Sequence, residues 1–171
     1  MNCRKYCKAM LIISFYINIF FHANISFAFL PITDEMRIKP LKGLKQICHV
    51  SYTDTNKYYD IKHFNINNVI LKLIKIGLQS VDIKQKPTSG LVVKVYTDDK
   101  DVDGYILYNV MIQLNQEVVT KTENPIITYA TTWEIGQFGF APKDRLNKKI
   151  ENAINECFNR FIDDYLSANS K

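Results

Sequence analysis

The residues most able to do chemistry lie in DDKDVDGYI, residues 98–106. Asp99, Asp101 and Asp103 alternate and are followed by Gly104, the opening pattern of many calcium loops. An EF-type loop needs oxygen ligands at alternating positions, a bidentate Glu at the twelfth and a helix on either side. Counted from Asp99, the twelfth residue is Val110, and both flanks alternate as strands do. A hairpin needs polar residues and a residue tolerant of positive φ, which Asp103-Gly104 supplies. The pattern favours a solvated hairpin turn over a weak calcium site on Asp99, Asp101 and Asp103.

Other reactive side chains are sparse. Beyond the first 28 residues there are two histidines, His49 and His63, and two cysteines, Cys48 and Cys157. Two cysteines make neither a zinc site nor a disulfide framework. Both fall on positions expected to face the core, so one bridge stands beside the commoner reading of two buried thiols. No Walker loop, GxSxG, HExxH or paired CxxC is present, and nothing calls for a cofactor. TTWEIGQFGF, residues 131–140, is the last feature. Gly136 and Gly139 would let a partner approach the backbone, with Trp133 and Phe138 as aromatic anchors. The competing reading is a core tryptophan followed by a glycine-bearing loop.

These residues need a frame. LKQICHVSY, from Leu44, places Cys48, Val50 and Tyr52 on one face, with Ile47 the exception. Ile66, Val69, Ile70, Leu73 and Ile74 recur at helical spacing, capped by Asn65 or Asn67 and ended by Gly77. LQSVDIKQ reads as a short second strand. LVVKVYT places Leu91, Val93 and Val95 opposite Val92, Lys94 and Tyr96. The long fourth strand has Ile106, Tyr108, Val110, Ile112 and Leu114 on one face and Leu107, Asn109, Met111 and Gln113 on the other. A fifth strand, IITYATTWEIG, puts Ile127, Tyr129, Trp133 and Ile135 together. A closing helix, capped by Asp144 or Asn147, carries Ile150, Ala153, Ile154, Cys157, Phe158, Phe161, Ile162 and Tyr165 in one stripe.

The order β-α-β-β-β-β-α predicts an α+β two-layer sandwich. About five strands form a mixed, mostly antiparallel sheet, with two helices on one face. The first two strands, joined through a helix, are expected to be parallel, and the rest to form a meander. The other sheet face, with Tyr96, Tyr105, Leu107, Met111 and Val92, is then open and apolar enough for an interaction surface or a homodimer contact.

The chain begins with a basic MNCRKYCK, an apolar run over residues 9–21 and a small-x-small site at Ser26 and Ala28. This describes a signal peptide over residues 1–28, since roughly 20 apolar residues are needed to span a bilayer. An extended segment, 29–43, would lead into a single domain over 44–171, with no further membrane span and a place in the periplasm or outside the cell. The 22 basic residues, less the leader's three, leave 19 against 17 acidic ones. A net charge of +2 is no electrostatic footprint for nucleic acid.

TWEIGQFG and FIDDYLSAN, with the glycine-ended first helix and opening strand, resemble a family of small exported bacterial proteins that is itself uncharacterised. The resemblance covers most of the chain after the leader. It departs in the shorter KQKPTSG and the less charged first helix. It implies export and one small domain and assigns no catalytic residue. The expected role is binding or assembly in the envelope, toward a protein, lipid or cell-wall ligand. The alternatives are a small envelope hydrolase whose site has no recognisable motif, or a calcium-dependent envelope protein.

Overall fold

A computed structural model describes residues 33–54, 59, 64–81, 88–98 and 103–170, with the backbone alone for 49–54. Its elements are α1 (Asp34–Ile38), a 3-10 turn (Lys39–Leu41), β1 (Gln46–Asp54), α2 (Ile66–Lys75), β2 (Gln79–Val81), β3 (Ser89–Thr97), β4 (Tyr105–Val119), β5 (Ile127–Pro142) and α3 (Leu146–Asn169). The five strands form one sheet in the order β2-β1-β3-β4-β5. β1 runs parallel to both of its neighbours, and β3, β4 and β5 are antiparallel. Asp34–Lys171 is one compact unit.

The alternation of β3 and β4 builds the inner face. Leu91, Val93, Val95, Ile106, Val110, Ile112 and Leu114 are fully buried, and Tyr108 nearly so. The apolar stripe of α3 meets them through Leu146, Ile150, Ile154, Phe158 and Phe161. Val69 and Leu73 of α2 join the same core, and Phe64 ahead of α2 stacks on Phe158 of α3 with ring centroids 6.4 Å apart. Both long helices thus cover one side of the sheet. Gly77, at φ +90°, ends α2: its N–H donates to the Ile74 carbonyl, and that of Leu78 to Leu73, the paired bonds of a Schellman cap.

Several expectations are corrected. Residues 34–41 are not extended: they form α1 and the 3-10 turn, and Leu41 is fully buried. β2 and β3 are not a hairpin. They flank β1 on either side, which gives β1 hydrogen-bonding partners along both backbone edges. In β1, Ile47 takes the inward position, so Cys48 is turned outward. β5 does not stop at Gly136 but runs on to Pro142. Thr132 is an extra residue in it: Trp133 pairs with Leu114, whereas Thr131 pairs with Asn115. This bulge inverts the alternation. Trp133 is buried while Ile127 and Tyr129 are exposed, so these three do not share a face. The N-cap positions of α2 and α3 are Asn65 and Arg145, neither with a side-chain capping bond, so Asp144 and Asn147 do not cap α3.

Candidate binding surface

The predicted site residues of β5 divide between the two faces of the sheet. Trp133 is a core residue. Its ring meets Phe161 edge-on at 5.0 Å, and its Nε1–H donates to Asp164 Oδ2 at 3.1 Å. Gly139 also faces inward, paired with Tyr108. A Cβ there would lie 2.7 Å from the Tyr108 hydroxyl and 2.8 Å from Cζ, so the tyrosine ring occupies the space the glycine leaves. Burial, and then Glu156, push the Tyr108 phenol above its ordinary value.

Trp133 is one arm of a polar clasp. The Asp164 carboxylate, almost wholly buried, also accepts from Arg37 Nε at 2.9 Å and Nη2 at 3.2 Å, and pairs with Arg160 Nε at 3.3 Å. That hydrogen bond is the main reason the Arg37 guanidinium sits above its usual value. From the next residue of α3, Tyr165 Oη donates to the Leu44 carbonyl at 3.1 Å. Asn169 Nδ2 donates to the Leu41 carbonyl at 3.0 Å, and its Oδ1 accepts from the Gly43 N–H at 2.8 Å. The polar residues of FIDDYLSAN therefore hold residues 37–44, and TWEIGQFG meets FIDDYLSAN through Trp133 and Asp164. A buried charge is tolerated only when paired and hydrogen-bonded, and Asp164 has both conditions met. Its lone pairs are committed to internal partners, so the clasp is structural.

The outer face is different. Cys48, Val92, Lys94, Tyr96, Tyr105, Leu107, Met111, Glu134, Gly136, Phe138 and Phe140 are all at least partly exposed. At the β5 end the large side chains are the most open: Phe140 68%, Phe138 66%, Tyr105 46%, Tyr96 41% and Leu107 37%. The register makes them neighbours. Tyr96 pairs with Asn109, which pairs with Phe138; Leu107 pairs with Phe140. Tyr105 meets Phe140 edge-on at 6.1 Å. Gly136 is exposed on this face between Phe138 and Glu134 and beside Met111, with no side chain of its own; a Cβ there would lie 3.2 Å from the Val110 carbonyl oxygen. Phe138 and Gly136 therefore belong to an exposed surface, and Trp133 and Gly139 do not. Phe140 was missed because the segment reads as a loop. Its two-residue step from Phe138 was the available signal.

The two thiols are free and lie on opposite sides of the sheet. Cys48 Sγ would lie 3.3 Å from a Cβ built on Gly90, which shares the outer face with Val92, whereas Cys157 is buried under α3. No bridge joins them. Burial raises the Cys48 thiol, and burial followed by Glu156 raises Cys157 to about 11. Among the described residues, no three His, Cys, Asp or Glu side chains converge to hold a metal ion. Asp99, Asp101, His63 and the His49 side chain lie outside those residues. Asp103 and Gly104, at φ +54° and +81°, both take left-handed backbone immediately before β4. No helix among the described residues is long and apolar enough to cross a membrane.

No protein-family model matches this chain. No curated protein matches it either.

Proposed function

We propose that this is an exported envelope protein that acts by binding, through the open face of its sheet, and not by catalysis. The observation that carries the reading is the division between the two faces. Inside, Asp164, Arg37 and Trp133 are engaged with one another, while Tyr96, Tyr105, Leu107, Phe138 and Phe140 form one contiguous exposed apolar surface. Aromatic side chains add large contact area with few rotatable bonds, which is why they anchor interfaces. Export rests on the leader pattern: Arg4, Lys5 and Lys8, the apolar run over residues 9–21, and Ser26 and Ala28. The likeness to small exported bacterial proteins supports the same placement.

A photo-crosslinking amino acid placed at position 138 in living cells tests the surface, with position 71 as control. Leu71 is similarly exposed but sits on α2. Adducts from position 138 and none from 71 are expected. Equal yields, or none from 138, would remove the open face as the binding surface. Mass spectrometry of the isolated protein, expected to begin at Phe29, tests export.

A further inference from the structure

The open face has the dimensions and pattern of a surface that meets itself, and we infer that its partner is a second copy of this chain. The inference rests on the binding reading above and names the occupant.

Area comes first. With about 200 Å² for a fully exposed aromatic side chain, the open fractions of the four rings and Leu107 amount to about 500 Å². A stable interface buries about 800 Å² per partner, of which about 56–65% is apolar. The patch therefore supplies about the apolar area that one side of such an interface contains.

Pattern comes second. β4 lies between β3 and β5, and the register sets matching rows across the three strands: Tyr96–Asn109–Phe138, Lys94–Met111–Gly136 and Val92–Gln113–Glu134. Two such sheets stacked face to face, about 10 Å apart, with a two-fold axis along β4, would lay β3 of one copy over β5 of the other. Tyr96 then faces Phe138 of the second copy. Lys94 then lies over Gly136 of the second copy, which has no side chain to oppose it, one row from its Glu134. Each contact occurs twice by symmetry. A lysine over a glycine and next to a glutamate is complementary in charge and meets no opposing side chain. The face is self-matching because the cation lies on β3 and the anion, one row away, on β5.

The test is sedimentation of the protein as isolated from the producing cell, from about 1 to several hundred µM, a range in which an interface of this size associates. A dimer is expected. Phe138→Lys should weaken it more than about 30-fold, the loss a central aromatic anchor causes, with an unchanged circular dichroism spectrum. Lys94→Glu alone and Glu134→Lys alone should each weaken it about 3- to 10-fold, two exposed pairs being lost at once. The double reversal should restore it to within about 3-fold. A monomer throughout the range, a dimer indifferent to Phe138→Lys, or a double reversal no better than the singles would overturn the inference. If the isolated protein is a monomer while position 138 still crosslinks in cells, the second copy falls and the binding surface stands. If both experiments fail, both readings fall.

Discussion

The two faces of the β4–β5 hairpin are built from one alternating stretch of chain, yet they solve opposite problems. Inward, each large residue has a counterpart: Leu114 beside Trp133, Tyr108 over Gly139, Trp133 against Phe161 and Asp164. Outward, Phe138 and Phe140 alternate with those same residues and remain more than half open to solvent. Trp133, Asp164 and Tyr165, polar groups of the two motifs, turn inward, where they hold the protein together. The face left open to solvent is the one rich in apolar residues. In a small α+β domain, burial separates motif from site.

That contrast can be broken at its strongest point. Asp164→Ala removes the acceptor shared by Arg37, Arg160 and Trp133 and leaves a guanidinium and an indole N–H without it. A loss of about 2–3 kcal/mol in urea unfolding is expected, since the buried indole N–H loses its acceptor while the partly exposed Arg37 keeps its pair with Asp34. Phe138→Ser, on the outer face, should change stability by less than about 0.5 kcal/mol. Equal losses would abolish the distinction between the faces.

Gly139→Ala sharpens it next. The new methyl would collide with a buried Tyr108 ring, costing about 2 kcal/mol in the same measurement, in the range of other overpacked core sites. A neutral result would show that the ring is free to move away.

The smallest effect is one of pH. The Cys157 thiol is raised to about 11 from 9.0, mainly by burial. Below pH 9 it is neutral in both folded and unfolded chains. Between the two values the unfolded chain releases its proton while the folded one retains it, so stability falls as pH rises. The decrease should be about 1–2 kcal/mol between pH 9 and 11, less than the full shift because Glu156 is exposed and screened. Cys157→Ala should remove most of the slope below pH 10, leaving the smaller part that the raised Cys48 thiol contributes, and Tyr108, also raised, should sustain a slope above it. An unchanged profile in the variant would assign the effect elsewhere.

Much of the frame is legible in the residue pattern, for a physical reason. β3 and β4 alternate without interruption, so all eight residues expected inside are inside. α2 and α3 follow from helical spacing and from Gly77. β5 misleads because Thr132 inserts one residue and inverts the faces, and because Gly136 and Gly139 imitate a loop. A glycine survives in that strand because Tyr108 covers it, a compensation visible only across the pair. β1 misleads because Ile47, not Cys48, takes the inner place, which also separates the two thiols. The clasp could not be read at all: Arg37 and Asp164 are 127 positions apart, and no local pattern couples them. On the open face, Tyr96, Tyr105 and Leu107 were visible in the pattern, and Phe140 was hidden by the supposed loop.

Because Asp164, Tyr165 and Asn169 grip residues 37–44 across more than a hundred positions, the beginning of the domain has to wait for its end. A ribosome must deliver the final helix before the last stitches can be tied. Until then Arg37, Leu41, Gly43 and Leu44 lack the partners that hold them in the finished domain.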